Sequence, residues 1–426
     1  MPSPPKPTFV GFGFGPIQAG LFLLEALRSG RFARCVTAEV MPDVVRAVRE
    51  EGGMYQVNVA RFDGIESLHL GPIEMHDPSA DRDREELIAA VATASEVATA
   101  VPSVRFYRSE GPGSIHRIIA RGLELRQGAP LIIYTAENNN RAAEILEATV
   151  LDEVAAPLRD VVRAGTRFLN TVIGKMSAVV ADPDRVAETG LRTVTSRDPR
   201  AFVVESFNHI LISAYQFPPE KPFRRGIEVF EEKPDLLPFE EAKLYGHNAA
   251  HALAAYIAAT RGYQKLPDLD KVPGAVSFVR TAFLREAGEA LCRKWRGADA
   301  LFNPAAFEKH VDDLMRRMLN PFLGDLVERV ARDPERKLGW DDRLVGTVRL
   351  ALRQGIAPER FALGIAAALA YHRPEMRAVG ADPGPHLEAI WRTAGPDPGE
   401  KSRVLELVGT GLLRLRRWLE TGAPPF

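Results

Sequence analysis

Apolar positions change their pattern along the chain, and the change falls near residue 200 of 426. Before it, short apolar runs typical of buried strands alternate with segments of helical spacing. After a last strand-like run, helical spacing dominates, and loops rich in Pro, Gly and Asp separate the segments. The predicted strands are 8–10, 34–39, 52–58, 67–70, 104–106, 200–207 and the run 131–140, which ends in a polar cluster. The predicted helices are 21–27, 114–123, 141–158, 239–260, 275–295, 304–319, 343–354, 357–371 and 401–420.

A glycine-rich loop joins the first predicted strand to the first predicted helix. Strand, glycine turn and helix form the context of a dinucleotide fingerprint, in which Gly13 makes the tight turn and Gly15 lets a pyrophosphate approach the backbone. Gln18 stands at the third glycine position, and Gly20 follows two residues later. A simple tight turn is the alternative. The predicted cofactor contacts in the loop are Gly13, Gly15, Pro16 and Ile17.

Length and pattern together predict the α/β class with two domains, because 426 residues are too many for one core. Residues 1–200 are predicted to form a Rossmann-type NAD-binding domain. Residues 201–426 are predicted to form a mostly helical domain that carries the catalytic and substrate residues.

Acidic residues follow two of the predicted strands. Glu39 ends the second strand at the distance where a carboxylate binds the adenosine ribose, which favours NAD over NADP. Asp43 is the rival candidate, and a solvated strand end is the alternative. The strand run at 131–140 ends in a polar cluster that includes Glu137 and Asn138, at the strand end where open α/β sheets bind ligands. A turn with a helix cap is the alternative there.

Polar side chains open an otherwise apolar helix at 243–251. With Lys243 at zero, His247 falls at about 40°, His251 at about 80° and Asn248 at about 140° on an α-helical wheel. A buried amine can lose its proton readily enough to act as a general base, and an amide can stabilise a developing oxyanion. A polar first turn followed by a core helix is the alternative.

The spacing Lys-x4-Asn-x2-His, before an Ala-rich helix, resembles the catalytic signature of the polyol-specific long-chain dehydrogenases, the mannitol dehydrogenase family. The resemblance implies that Lys243 takes the hydroxyl proton and that Asn170 and Asn248 stabilise the oxyanion. It also implies that His251 orients the substrate or Lys243. Further family matches are Glu137, Asn138 and the substrate-side acid Glu205, and His247 is predicted to contact substrate or to tune the pKa of Lys243.

The chain departs from the family pattern at three positions. Gly174 and Lys175 stand where the family usually has Asp and Arg, and Ser213 replaces another acid. Lysine keeps the positive charge of arginine but loses its fork of donors. These departures bear on which substrate is bound more than on the chemistry.

Residues 320–343 resemble the branch of the family that acts on mannitol 1-phosphate. The segment is rich in cations, which suit a phosphoryl group. Interleaved acids favour the alternative of a solvated charged surface equally well. The candidate phosphate ligands are Arg329, Arg332, Arg336, Lys337 and Arg343.

Composition excludes several other classes. The net charge of −1 gives no reason to expect nucleic acid or a membrane surface as a partner, and no uncharged apolar run is long enough to cross a membrane. The cysteines, Cys35 and Cys292, provide neither a disulfide framework nor a thiolate metal site, and no metal is expected. Nothing near the N-terminus resembles a signal peptide, so a cytoplasmic protein is expected. The family resemblance implies a monomer or small oligomer.

The sequence therefore predicts an NAD-dependent, metal-independent oxidoreductase that uses a lysine as general acid and base. Its leading substrate pair is mannitol 1-phosphate and fructose 6-phosphate. The first alternative is a dehydrogenase for an unphosphorylated polyol or a sugar acid, such as mannitol, fructuronate or tagaturonate. The second is a catalytically silent NAD-binding sensor.

Overall fold

The computed structural model describes residues 7–126 and 128–422. Residues 1–6, on which the expectation about a signal peptide rests, lie outside the described residues. The chain forms two compact units, Met1–Leu236 and Leu237–Phe426. This division differs from the predicted one at residue 200, because the strands that follow residue 200 pair with strands of the first unit.

The first unit contains two β-sheets. Its main sheet has eight strands in the order β12-β11-β8-β7-β6-β1-β2-β5, and its smaller sheet has the order β4-β3-β10-β9. The described strands are β1 (Thr8–Phe12), β2 (Arg34–Ala38), β3 (Tyr55–Ala60), β4 (Ile65–Leu70), β5 (Glu74–His76), β6 (Ala94–Thr99), β7 (Leu131–Thr135), β8 (Thr166–Ile173), β9 (Ser177–Val180), β10 (Ala201–Glu205), β11 (Ile210–Ser213) and β12 (Phe230–Lys233).

Six strands of the main sheet have the topology of a dinucleotide-binding fold. The order β5-β2-β1-β6-β7-β8 is parallel throughout, and the strand order reverses between β1 and β6. Ligands bind at the carboxyl ends of the strands on either side of such a reversal. The glycine loop that follows β1 lies at this point.

The smaller sheet packs against the helix that follows the glycine loop. Gly20 lies at the closest approach, since a Cβ there would come within 2.6 Å of Val204 and 3.2 Å of Val57. The Tyr55 hydroxyl donates a hydrogen bond to the Ala19 carbonyl at 3.1 Å. Gly20 therefore gives the close helix–sheet packing that the third fingerprint glycine gives elsewhere, but against the second sheet.

Helices cover the main sheet, and the prediction differs from the structure at several elements of this unit. The predicted strand at 104–106 is a 3₁₀ turn, Val104–Tyr107, whose first residues are capped by the Ser103 hydroxyl. The strand β6 was not predicted, because it continues directly from a helix without a turn signal. The helices are Gln18–Leu23 (π), Leu24–Ser29, Pro42–Glu50, Asp81–Thr93, Ile115–Leu125, Ala142–Glu153, Ala156–Leu158 (3₁₀), Arg159–Gly165 and Pro183–Glu188.

The second unit is helical throughout its described residues. None of the described helices is both long and apolar enough to cross a membrane. Its helices are Leu237–Glu241, Ala242–His247 (π), Asn248–Thr260, Leu266–Lys271 (3₁₀), Ala275–Thr281, Ala282–Gly288 (π), Glu289–Lys294, Ala300–Phe302 (3₁₀), Pro304–Met318, Val327–Ala331, Pro334–Lys337, Val345–Arg353, Glu359–His372, Pro374–Arg377 (3₁₀), Gly384–Trp391, Arg392–Ala394 (3₁₀) and Pro398–Thr421.

Small residues bring the central helices of the second unit together. The Ala-rich helix Asn248–Thr260 is buried along most of its length. Helix Glu359–His372 crosses it at Gly364, where a Cβ would lie 2.6 Å from Leu253. Helix Pro398–Thr421 packs on Glu359–His372 at Gly411, where a Cβ would lie 2.9 Å from the Ala362 carbonyl oxygen. The helix that carries Lys243 is thus continued by a segment held in the core.

Candidate active site

The glycine loop has the geometry that a bound dinucleotide requires. Gly13 adopts φ +88°, and a Cβ on it would come within 2.8 Å of the Ala100 carbonyl at the end of β6. Only glycine adopts this backbone conformation without strain. Gly15 differs, because no described atom lies within 4 Å of the position its Cβ would take. The space beside Gly15 leaves room for a phosphate group to approach the backbone.

Glu39 is buried at the end of β2 and is bonded to the loop. Its carboxylate accepts hydrogen bonds from the Phe14 amide at 3.0 Å and from the Met41 amide at 2.9 Å. The rival candidate Asp43 is exposed and paired with Arg46. Glu39 therefore shapes the glycine loop, and the unused lone pairs of its carboxylate suit ribose hydroxyls.

The residues after Gly15 start the helix below the loop. Pro16 lies at its first turn, where a missing N–H is tolerated. Ile17 packs against the core of the first unit. Gln18 is fully buried against Gly11, and neither polar atom of its side chain has a hydrogen-bond partner in the described part of the chain.

Glu137 joins the ends of two neighbouring strands. Its carboxylate accepts hydrogen bonds from the Thr99 hydroxyl and the Val101 amide, each at 2.9 Å, and from the Tyr107 hydroxyl. Burial raises the pKa of this carboxyl. Glu137 thus organises the loop after β6, whereas its neighbour Asn138 is exposed at the same edge of the sheet.

Asn170, on β8, is held in one orientation. Its side-chain oxygen accepts a hydrogen bond from the Ala143 amide at 2.9 Å, and its Nδ2 donates to Glu144 at 2.9 Å. The bond from Ala143 fixes which end of the amide carries the N–H groups. No second described acceptor bonds to Nδ2, so its other N–H can serve an outside acceptor.

Two residues matched to the family's substrate side are turned into the protein. The Lys175 ammonium donates to the carbonyls of Glu205 at 2.6 Å and Phe207 at 2.7 Å. The buried Glu205 carboxylate accepts a hydrogen bond from the Met176 amide. Both side chains therefore tie the loop before β9 to the end of β10, which accounts for the burial of a lysine where the family usually has an arginine.

Lys243 lies in a π turn, and this changes its relation to Asn248. The Asn248 amide donates to the Lys243 carbonyl, an i to i−5 hydrogen bond, within the π segment Ala242–His247. Residues five apart lie nearer to one side in a π turn than in an α-helix, so the Lys-x4-Asn spacing places both residues toward one side of the segment. The angle of about 140° obtained from an α-helical wheel is therefore wrong for this pair. Asn248 makes no side-chain hydrogen bond with the described residues.

The surroundings of Lys243 favour the neutral amine. Burial, together with the positive charge of Arg343, lowers the pKa of Lys243 to about 8, and Glu240 opposes the shift. Arg343 lies just before the helix Val345–Arg353, which docks on the Lys243 segment, since the Thr347 hydroxyl donates to the Tyr245 carbonyl at 3.0 Å. A lysine with this pKa can accept and return a proton near neutral pH.

The two histidines of this helix stack, with ring centroids 5.8 Å apart. His247 is buried, and burial followed by the charge of neighbouring cationic groups lowers its pKa well below the ordinary value. His251 Nε2 lies 2.8 Å from Oδ2 of Asp325, a buried acid that also binds Arg329. Asp325 was missed by the sequence analysis, although its position four residues before Arg329 is typical of a helical ion pair.

The candidate phosphate ligands divide into two groups. Lys337 is 4% exposed and has no ion pair with any described residue, and burial with the charges of Arg343 and Arg336 lowers its pKa to about 8. Arg336 reaches its nearest acids only at 3.9 and 4.0 Å. Arg329, by contrast, is bound to Asp325, and the side chain of Arg332 is 73% exposed. Arg343 donates to Asp342 at 2.7 Å, and its charge acts on both Lys337 and Lys243. We group Lys337, Arg336 and Arg343 as one cation cluster on the basis of these electrostatic effects.

Among residues 7–126 and 128–422, no three His, Cys, Asp or Glu side chains are grouped so that they could hold a metal ion.

A dinucleotide-binding fold with an open glycine loop, followed by a helical unit with a buried lysine of lowered pKa, defines a Rossmann-type dehydrogenase. The chain belongs to the mannitol dehydrogenase family: the model of the family's Rossmann domain matches residues 7–223, and that of its C-terminal domain matches 235–393.

One relative of known name and two solved structures are similar to this chain. The chain is 30% identical over 366 residues to mannitol-1-phosphate 5-dehydrogenase of Halalkalibacterium halodurans, covering 85% of this chain and 87% of the relative. A substrate-free D-sorbitol dehydrogenase has the same fold, with a TM-score of 0.75 at 15% identity over 98% of this chain and 94% of the other. Pseudomonas fluorescens mannitol 2-dehydrogenase, solved with NAD and D-mannitol, also has this fold. Its TM-score is 0.69 at 15% identity, and the match covers 98% of this chain and 95% of the other.

The comparisons confirm the predicted family, the predicted α/β fold with a helical second part, and the predicted enzyme class. The chain is an oxidoreductase that acts on the CH–OH group of a polyol.

Proposed function

We propose that this protein is an NAD-dependent dehydrogenase that interconverts a polyol phosphate and a ketose phosphate. Mannitol 1-phosphate and fructose 6-phosphate are the leading pair. The observation that carries the phosphate assignment is the cation cluster of Lys337, Arg336 and Arg343, in which Lys337 is buried and unpaired among the described residues. The similarity to a mannitol-1-phosphate 5-dehydrogenase supports the same substrate class.

Lys243 is the proposed general base in the direction of alcohol oxidation. Its neutral amine takes the proton of the substrate hydroxyl, and the same group returns a proton to the ketone oxygen in reduction. NAD, when bound, supplies the acceptor for the hydride from the carbinol carbon. Asn170 and Asn248 are the proposed donors to the oxygen on which negative charge develops, and His251 orients the substrate.

The loop and its neighbours are the proposed cofactor site. The backbone at Gly13 and Gly15 and the first turn at Pro16 and Ile17 face the pyrophosphate, because the space beside Gly15 is open. The buried Glu39 carboxylate serves the ribose hydroxyls and repels a 2′-phosphate, which favours NAD. Glu137 acts through the loop it holds, and Asn138 lies exposed at the same strand end.

Lys337 contributes to phosphate binding through its charge. An unpaired ammonium with a buried stem is costly in an empty protein, and a phosphate dianion relieves that cost. Arg343 supplies a guanidinium next to both Lys337 and Lys243, so it is placed to link phosphate binding to the catalytic amine. Arg336 completes the cluster. Arg329 serves a sugar hydroxyl or the phosphate, and Glu205 and His247 support the site from buried positions.

The deciding experiment measures NADH consumption with fructose 6-phosphate, fructose and fructuronate in parallel. The expected result is turnover of the phosphorylated ketose only, with a KM that rises at least tenfold in Lys337→Met while NADH affinity is unchanged. Arg332→Met is the matched control, because it removes an exposed cation of the same segment. Turnover of fructose or fructuronate instead would contradict the phosphate assignment, and silence on all three with NADH still bound would favour the sensor alternative.

Metal independence stays a prediction with its own check. Turnover should be unchanged after dialysis against EDTA, because Lys243 and the amides replace a Lewis acid in the proposed chemistry. Loss of activity that returns with added zinc or magnesium would contradict it.

A further inference from the structure

Asp325 is a buried carboxylate that contacts two side chains to which a substrate role is proposed. Its Oδ2 lies 2.8 Å from His251 Nε2, and its Oδ1 accepts a hydrogen bond from Arg329 Nε at 2.9 Å. The Asp325 side chain is fully buried, whereas those of His251 and Arg329 are partly exposed. The buried Asp325 carboxylate therefore contacts two side chains that are themselves partly exposed.

The backbone fixes Asp325 independently of these two contacts. The Asp325 carbonyl accepts a hydrogen bond from the Leu266 amide at 2.9 Å, and the Val327 amide donates to Gln264 at 2.9 Å. Between them, Leu326 pairs with Lys265 in an isolated antiparallel bridge. The position of the carboxylate is thus set by its own segment, and the side chains of His251 and Arg329 are oriented by reaching it.

Asp325 also keeps its negative charge. Burial raises the pKa of this carboxyl, but the contacts with His251 and Arg329 outweigh burial, and the pKa lies below its ordinary value. A buried carboxylate beside an imidazole selects the tautomer that places N–H toward it. Here the nearest nitrogen is Nε2, which lies 2.8 Å from Oδ2 although the two atoms are not aligned as a hydrogen bond. A proton on Nε2 removes the repulsion between two lone pairs at this distance, and it leaves the Nδ1 lone pair as an acceptor.

We infer that Asp325 is a positioning residue of the active site: it fixes the tautomer of His251 and aims the guanidinium of Arg329 with one carboxylate. His251 then offers Nδ1 as an acceptor to a substrate hydroxyl, and Arg329 offers the N–H groups that Asp325 does not occupy. The inference rests on the proposed function for the substrate roles of these two side chains, but not for the tautomer itself.

The kinetic test compares Asp325→Asn with the wild type on whichever polyol or ketose the wild type turns over. A fall in kcat/KM of roughly 10–100-fold is expected, as for other residues that orient a functional histidine. The same substitution in a background of His251→Ala and Arg329→Ala should change kcat/KM by less than about threefold, because Asp325 acts through those residues. An undiminished effect in that background would overturn the inference.

Glu286→Gln is the matched control for burial of a carboxylate. Glu286 is a buried acid of the same unit that binds the Arg360 and Phe361 amides, each at 2.9 Å. It contacts none of the proposed catalytic residues in those bonds. Its substitution should lower stability and leave kcat/KM within about twofold, which separates a general loss of stability from a loss of positioning.

A spectroscopic test needs neither turnover nor a folded Asp325 variant. In the full chain labelled with ¹⁵N-histidine, the His251 signals, assigned by their loss in His251→Gln, should show the proton of the neutral ring on Nε2. A proton on Nδ1 in the wild type would overturn the inference. If no polyol is turned over, the proposed function fails while this measurement still tests Asp325.

Discussion

Lys243 is the residue on which the proposed chemistry depends, and its pKa of about 8 predicts how activity changes with pH. Oxidation requires the neutral amine, so kcat/KM for the polyol should rise about tenfold per pH unit below 8 and level off above it. Reduction requires the protonated amine and should fall above the same pH. Lys243→Ala should reduce turnover by roughly 10²–10⁴-fold while NADH binding persists.

Charged neighbours of Lys243 should move this profile in opposite directions. Arg343→Gln removes a positive charge that lowers the Lys243 pKa, so the midpoint should shift to higher pH. Glu240→Gln removes a negative charge that raises the pKa, so the midpoint should shift to lower pH. The measurement is the pH dependence of kcat/KM in the three proteins. Shifts of the same sign in both variants would exclude Lys243 as the titrating group.

Residue identities were more predictable than residue geometry. Lys243, Asn248 and His251 could be selected from their spacing, but the angles between them assumed an α-helix, and the π turn changes them. The sequence alone does not reveal this turn, because i to i−5 bonding depends on how the helix packs. Asp325 was missed for a related reason: its contact with His251 joins segments far apart in the chain.

At the scale of whole elements, the glycine loop and the helix after it have two contacts to make. Gly20 packs against the smaller sheet, and Gly15 faces the proposed cofactor site. Gly20 packs against Val204 and Val57, so Gly20→Ala should lower the free energy of unfolding by about 1–3 kcal/mol through overpacking. Gly15→Ala meets no described atom and should leave that free energy nearly unchanged, but its methyl group occupies the approach to the pyrophosphate and should weaken NAD binding at least about tenfold.

Urea unfolding and NADH fluorescence titration of both variants check this pair of predictions. Wild-type stability in Gly20→Ala, or wild-type NADH affinity in Gly15→Ala, would contradict the division of roles. The first strand and this loop were predictable because strand, glycine turn and helix follow within a few residues. The smaller sheet against which Gly20 packs was not, since β3, β4, β9 and β10 are brought together from residues 55–205.

At the scale of the molecule, the last helix lies outside the residues that the family model matches, yet it is tied to the cation cluster through one acid. Glu400, in the first turn of Pro398–Thr421, binds Arg353 Nε at 2.7 Å and Arg349 Nε at 3.2 Å on the helix Val345–Arg353. Arg349 in turn donates to the Trp340 carbonyl at 2.9 Å. Arg343, just before that helix, therefore depends for its position on contacts that begin at residue 400.

Glu400→Gln should consequently affect both stability and substrate binding. Loss of charge between two arginines, one of them buried, should lower the free energy of unfolding by about 1–3 kcal/mol. The KM for a phosphorylated substrate should rise more than kcat falls, because Arg343 is displaced while Lys243 stays on its own helix. Thermal unfolding and steady-state kinetics measure the two effects.

Glu359→Gln is the control, because Glu359 pairs with Arg414 of the same last helix at 2.8 Å but in an exposed position. An exposed pair contributes little, so its loss should cost less than about 1 kcal/mol and leave KM unchanged. Equal effects of the two substitutions would mean that the last helix stabilises the unit but does not position the phosphate ligands. A KM effect confined to Glu400→Gln would make residues 398–421 part of what holds the phosphate ligands in place.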